Sequence, residues 1–461
     1  MNAIILSALL GTAMMMAGLV IKKETGIRLL AIVGTILLLG ATLVDFQQTG
    51  LEVRPFFRNM LALNGYSAWF NLLLSGSFLV YILMFSRHLT RVGKNDAEYF
   101  ALLFFVMCGL FMMSTFSNLL IFFLAIEILS IPQYIMAGSD KNSIKSSEAA
   151  LKYFLMGSFS TGILLMAITL LYGATGTFDV NSQAFIDLFQ DATKFSSLGL
   201  LGIGLLVVAL GFKVSAAPFH FWTPDVYDGT PTPFTPFMAT LVKVGVFMAF
   251  IRLFHLSFGN VADSWQLMLA IMIGLTLFIG NVTAVYQRSV KRMMAYSSIA
   301  QAGFMLLAVF AFNSTSWQGI ILYSVTYTLA SMGVFSVLNY LDDHSFEGFQ
   351  GLGRKNPLLA VTATISLLSL AGIPLTGGFF AKYFVLSAAV EQGHMKGLVI
   401  FAVLMAAISA YYYFKVIMSM FFKPGEPKLV YEPNSTEKVM MIINALLILL
   451  AGILPGIFLN A

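Results

Sequence analysis

The sequence predicts an all-α, polytopic membrane protein of about fourteen transmembrane helices, and three observations carry that prediction. Of the 461 residues, 59% are hydrophobic and only 10% are charged, against about 25% charged in an ordinary soluble domain. The apolar residues fall in runs of roughly 18 to 25, the length at which a helix crosses a bilayer. The runs are continuous, so the alternating pattern of a β-barrel is excluded.

In chain order, spans are expected at 2–21, 29–46, 69–85, 99–116, 118–138, 148–173, 198–216, 236–258, 264–286, 293–312, 316–340, 357–390, 395–422 and 437–459. The first, NAIILSALLGTAMMMAGLVI, has no basic residue ahead of it, and Lys22 and Lys23 follow it. That is the reverse of a cleaved signal peptide, so it reads as a retained span with its N-terminus outside. The seventh reaches Lys213 and breaks at Pro218, and residues 217–235 are expected to continue it as a re-entrant or broken helix. The twelfth is interrupted by Gly372, Pro374, Gly377 and Gly378, ahead of Lys382. Glycine and proline free backbone polar groups, which membrane depth tolerates only beside protein or water.

The basic residues test this order. With the N-terminus outside, the loops after the odd-numbered spans, with the span ends that flank them, hold sixteen lysines and arginines; the opposite side, counted the same way, holds five, Arg54, Arg58, Lys194, Arg252 and Lys396. That asymmetry obeys the positive-inside rule. The remaining five, Lys152, Lys213, Lys243, Lys382 and Lys415, are the ones left to the spans themselves by that count, and none of these is arginine. Arginine keeps its proton in any environment, whereas a lysine taken out of water can release its own. Each costs about 2.5–3.5 kcal/mol at a helix centre, which favours a bundle interior along an ion path. Among the acids, only Glu127 sits mid-span, in LLIFFLAIEILSIPQYIMAG. An opposite charge nearby would hold a lysine protonated, and separation from it would release the proton.

Interruptions at corresponding places in two halves point to inverted repeats around a transport site. The chain is therefore divided into residues 1–98, a first five-helix unit at 99–258, a second, inverted unit at 259–422, and a last helix in 423–461. Polar side chains also recur at helical spacing: Glu127, Ser130 and Tyr134; Ser297, Ser298 and Gln301; Tyr323, Thr326, Tyr327 and Ser331. Each set shares a helix face and could hold water along a path.

Other chemistries are disfavoured. The formal charge of +5 is that of basic loops on a membrane protein, and no basic-aromatic patch argues for nucleic acid. Cys108 is the single cysteine, which excludes an internal disulfide and a multi-cysteine iron–sulfur site. No Rossmann glycine pattern follows a strand. No cofactor or metal site is expected in this chain.

Five stretches carry a resemblance: IEILSIPQYIMAG, SSEAALKYFLMGSFSTGILLMAITLLYGATGT, GFKVSAAPFHFWTPDVYDGTPTPFT, VKRMMAYSSIAQAGF and AGIPLTGGFFAKYF. The chain resembles the N-type subunits of proton-pumping NADH:quinone oxidoreductase, respiratory complex I. These belong to the antiporter-like family, with the L and M subunits and the multisubunit cation/proton antiporters. PDVYDGTPTP and the Lys243 of LVKVGVF are particularly N-like. The resemblance implies a proton-translocating subunit of a bacterial inner (plasma) membrane. NAD, FMN, iron–sulfur clusters and quinone would sit in partner subunits. Its partners would be M- and L-type subunits, small membrane subunits and the lipid bilayer, with no nucleic acid. It implies roles residue by residue: Glu127 and Lys213 as the proton-loading pair, Lys243 as the central lysine, Lys382 as the terminal group of the broken twelfth helix, and Lys152 as the lysine of the sixth. Gln301 departs from the pattern, standing where relatives often have a histidine. A glutamine can orient water but does not titrate.

Plainer readings stand beside these. Lys213 could pair with carbonyls freed at the break. Lys152 lies four residues after Glu148 and reads equally as half of a helix-surface pair. Lys415 reads as snorkelling to an interface. His220 reads as a hydrogen-bonding residue before a carrier, and Asp225 and Asp228 as capping or orienting the broken helix that Pro218 opens. Two other functions compete with the translocating subunit: a gradient-driven cation/proton antiporter subunit, and a structural anchor. The cost of retained buried charges speaks against the anchor.

Overall fold

The computed structural model describes residues 1–49, 54–57, 59–93, 96–190, 196–311, 313–393 and 395–459. Arg58 and Lys194 of the basic-residue count lie outside the described residues. Among the described residues, twelve helices are long and apolar enough to cross a membrane, and they account for twelve of the expected spans. The seventh and twelfth are instead the shorter apolar helices Ser197–Lys213 and Pro357–Ala371. Each is followed by a break and a second helical piece, Trp222–Gly229 in one case and Gly377–Glu391 in the other. One feature departs from an all-helical chain: Arg54–Phe56 pairs antiparallel with Leu61–Leu63.

Local chemistry sets the helix ends. Asn118, Ser143, Ser196, Asn356 and Asn434 each accept a backbone N–H with the side chain at an N-terminus, satisfying a donor the helix leaves open. Asn313 and Ser316 close a reciprocal capping box. Leu19, Val20, Phe159, Ile400 and Phe422 are exposed, as a lipid-facing surface requires.

The chain forms two compact units. The first comprises Met1–Ile82, Leu89–Val214 and Leu241–Leu269. In it the Asp96–Thr115 helix packs on both Asn2–Val20 and Leu119–Ala137, and Ile144–Thr175 packs on Ser197–Lys213. Gly109 permits the second of these contacts, because a Cβ there would lie 2.8 Å from the Ala125 carbonyl oxygen. Arg252, expected on an outer loop, is instead buried in the Thr235–His255 helix at 7% exposure. It donates to the Phe116 and Ser114 carbonyls and to Ser67 Oγ at 2.8, 3.0 and 3.0 Å. The guanidinium thus closes the carbonyl end of the Asp96–Thr115 helix, a favourable place for a cation.

The second unit comprises Leu83–His88, Ser215–Thr240 and Ala270–Ala461. Ser314–Leu338 is its centre, packed against Pro357–Ala371, Gly377–Glu391 and Ser435–Ile453. Val290–Ala311 packs on Trp222–Gly229 and Gly377–Glu391. The start of Ser435–Ile453 is tied down by Glu437, which accepts from Arg87 at 3.0 Å and from the Asn434 backbone at 2.8 Å.

Candidate functional site

The site residues divide between the two units. In the first, Glu127 and Ser130 lie on Leu119–Ala137, one helical turn apart. Ser130 Oγ donates to the Ile126 carbonyl at 2.6 Å and accepts from Lys213 Nζ at 2.8 Å. Lys213 is the last residue of its helix, so its ammonium hydrogen-bonds across to another helix rather than to the carbonyls at its own end. The Glu127 Oε1 is buried without a hydrogen-bond partner. The direct bond of Lys213 therefore goes to a hydroxyl on the Glu127 helix, one turn from the acid, and among the described residues Glu127 and Lys213 form no ion pair. Pro132 lies inside the same helix, and the Gln133 amide reaches back to the Leu129 carbonyl at 2.7 Å.

Lys243 opens the regular stretch Lys243–Ile251, directly after a π-helical turn at Met238–Val242. Such turns recur at functional sites, because the extra residue re-aims side chains. Lys243 is 1% exposed, and its helix packs on Ser197–Lys213 within the first unit.

In the second unit the chain turns through Ser215, at φ 65°, and a cis Ala217–Pro218 bond. The Ala217 N–H is taken by Thr276 Oγ1 at 2.8 Å. His220 is buried beside Phe221, and its Nδ1 has no hydrogen-bond partner. Asp225 and Asp228 do not cap Trp222–Gly229, whose N-terminus has no side-chain cap. Asp225 instead pairs with Arg292 at 2.7 Å. Lys291 donates to the Asp228 and Thr230 carbonyls at 2.9 and 2.6 Å. The Asp225 carboxylate and the Asp228 backbone carbonyl thus fasten the broken piece to Val290–Ala311, an orienting contact.

The second break turns at Gly372, φ 84°, and Leu375, φ 72°, on either side of Pro374. Lys382 lies beyond it and folds back, donating to the Leu370 and Ala371 carbonyls at 2.9 and 3.0 Å. Its ammonium also lies 4.9 Å from the Phe304 ring centre, a cation–π distance. The Leu370 carbonyl is shared, because Gln301 Nε2 donates to it at 3.0 Å and to the Tyr413 hydroxyl at 3.0 Å. Tyr323 donates to Gln301 Oε1. Lys382, Gln301, Tyr323, Thr326, Tyr327 and Ser369 line a cavity of about 10 Å³, room for about one water.

Comparison with known proteins fits this arrangement. The sequence profile of the family described as NADH:quinone oxidoreductase/Mrp antiporter, transmembrane, matches residues 116–409. The chain belongs to that family. NADH-quinone oxidoreductase subunit N of Cytophaga hutchinsonii is 37% identical over all of this chain and 99% of its own length. Subunit N of Mycobacterium bovis is 38% identical over 80% of this chain and 71% of its own. Among solved structures, a chain of Thermus thermophilus respiratory complex I with bound aureothin superposes with a TM-score of 0.85 at 32% identity, covering 100% of this chain and 99% of that one. A chain of the Dietzia sp. Mrp complex, 18% identical and covering 100% of this chain and 96% of that one, shares the fold at a TM-score of 0.84.

The stretch shared with the antiporter family holds Glu127, Lys152, Lys213, Lys243, Gln301 and Lys382. Lys152 departs from the buried set: it is 41% exposed and paired with Glu148 at 2.5 Å on the helix surface. Lys415 lies 4.2 Å from the Phe346 ring centre, a loop aromatic. Lys291, Arg292 and Arg252 were counted from the sequence only as loop charges. Their carbonyl and carboxylate partners lie 61 to 138 residues away, and no local pattern announces them.

Proposed function

We propose that this chain is a proton-translocating membrane-arm subunit of an NADH:quinone oxidoreductase of the complex I type. It would work in a bacterial inner membrane beside other antiporter-like subunits and small membrane subunits. Its N-terminus would lie outside, the orientation that the excess of basic residues on one side supports. Full-length identity to subunits of that name supports the assembly, and the redox chemistry would belong to partner subunits. Residues 99–258 and 259–422 would be inverted five-helix repeats, a reading supported by one broken helix in each.

The observation that carries the reading is the environment of Lys213. A lysine held by one hydroxyl, a helical turn from Glu127, has two ways to place its charge. Near Glu127 it keeps its proton; drawn away, it loses the counter-charge and releases the proton. Lys243 would receive in the first unit. In the second, Lys382, the Gln301–Tyr323–Tyr413 hydrogen bonds and a water in their cavity would complete the relay. Gln301 would take part as an orienting group, giving hydroxyls and water a fixed frame where a histidine would titrate. Lys152, paired on the helix surface, is left out of the relay.

The test is replacement of Glu127 or Lys213 by Ala in the assembled complex. Proton pumping coupled to quinone reduction should fall about tenfold or more while subunit content stays normal. Full pumping in both variants would refute the switch.

A further inference from the structure

Ser130 lies at the meeting of two hydrogen bonds whose directions are fixed by chemistry. Its Oγ is 2.6 Å from the Ile126 carbonyl and 2.8 Å from Lys213 Nζ, and the residue is 1% exposed. A carbonyl only accepts and an ammonium only donates. The one hydroxyl proton therefore lies on the Ile126 side, and a lone pair of Oγ faces the lysine. Among the described residues this is the one hydrogen bond that the Lys213 side chain makes.

That arrangement suits a charged lysine, and a small change makes it suit a neutral one. A neutral amine has a lone pair to satisfy as well as N–H bonds to give. Rotation about the Ser130 Cβ–Oγ bond turns the same proton from Ile126 to the amine nitrogen, with no movement of the backbone. Ile126 keeps a partner, because a helix carbonyl also accepts the main-chain N–H four residues on. The bond from a helical serine to the carbonyl four residues back adds no stability to the helix. An ionised Glu127 lacks this versatility: it only accepts, and it favours the charged lysine. The Leu370 and Ala371 carbonyls that hold Lys382 also only accept, so they offer nothing to the lone pair of a neutral amine.

With Lys213 as the proton-releasing group proposed above, we propose that Ser130 is its positioning residue. The hydroxyl holds the ammonium by accepting and the neutral amine by donating, so the side chain keeps its place while its proton leaves and returns. The proton departs from Nζ to the next group of the relay, and the serine keeps its own proton throughout. Ser130 also stands three residues after Glu127, about 4.5 Å along the helix axis, a step within the swing of a lysine side chain.

Threonine and valine separate the hydroxyl from the shape, since they are close in size and only threonine can bond back to the carbonyl four residues earlier. The intact complex carrying Ser130→Thr or Ser130→Val is compared with the native complex in inverted membrane vesicles, with proton uptake normalised to quinone reduction at equal subunit content. Pumping in Ser130→Val should fall about fivefold or more, as for the loss of one hydrogen bond, and Ser130→Thr should stay near the native value. Ser130→Ala, which fits wherever serine fits, should match valine. Native pumping in Ser130→Val or Ser130→Ala would overturn the proposal. An equal loss in Ser130→Thr and Ser130→Val would overturn it too, because the site would then demand a small side chain and not a hydroxyl. Lys213→Ala in the same vesicles separates this role from the reading beneath it. Low pumping in Lys213→Ala beside native pumping in Ser130→Val sinks the role of Ser130 alone, whereas native pumping in Lys213→Ala sinks the reading of Lys213 and the role of Ser130 with it.

Discussion

At the first break Lys213 ends its helix and gives its ammonium to the Ser130 hydroxyl on another helix. At the second, Lys382 stands beyond the break and reaches back to the Leu370 and Ala371 carbonyls. The two lysines occupy similar chain features and face different partners. Main-chain carbonyls at a helix end are fixed in place, so Lys382 completes the end of Pro357–Ala371 as well as lining the cavity. A single hydroxyl, one helical turn from Glu127, holds Lys213 loosely, and nothing in the helix end depends on it. The comparison teaches that one lysine can move without disturbing the backbone, whereas the other is part of what shapes it.

The contrast can be broken at several points, taken from the largest expected effect on stability to the smallest. Gly378→Ala should be worst, because its Cβ would run into the Ser369 carbonyl oxygen. A loss of about 3 kcal/mol is expected from such overpacking, read as a large fall in Tm of the detergent-solubilised chain. Lys382→Met should cost about 2 kcal/mol, since it leaves two carbonyls with fewer donors. Lys213→Met should change stability by no more than about 1 kcal/mol, because one lost hydrogen bond is offset by removal of a charge that is expensive in the membrane. A Tm loss for Lys213→Met equal to that of Lys382→Met would erase the distinction. Asp225→Asn weakens a pair about one-third exposed on both sides and should cost about 0.5 kcal/mol. Lys152→Ala should cost less than about 0.5 kcal/mol, as for a helix-surface pair, and leave pumping intact.

Much of this was legible in the sequence, and the reasons are specific. Continuous apolar runs gave the spans, because a helix must bury its backbone groups within itself to cross lipid. Pro218 and the Gly372–Gly378 cluster marked the breaks, because those residues cannot continue a helix or need not. The lysines stood out because ionisable groups are rare at that depth. What the sequence hid were partners set by packing. Ser130 shares a helix face with Glu127, but only the fold shows that the Lys213 bond goes to the hydroxyl. Arg252 looked like a loop charge because it sits near a span end, where the chain alone does not say that three acceptors await it. Asp225 read from the sequence as capping or orienting the broken helix, and only the fold shows that Arg292, on another helix, is its partner. The π-helical turn before Lys243 has no composition signal at all.

The central claim is that Lys213 works by giving up a proton, beyond supplying a positive charge. Lys213→Arg separates the two, because arginine keeps the charge and the donor but does not deprotonate. Proton uptake should be followed in inverted membrane vesicles and normalised to quinone reduction by the same complex. Subunit content should be unchanged and pumping reduced about tenfold or more. Full pumping with arginine in place would show that charge alone suffices, and would contradict the account.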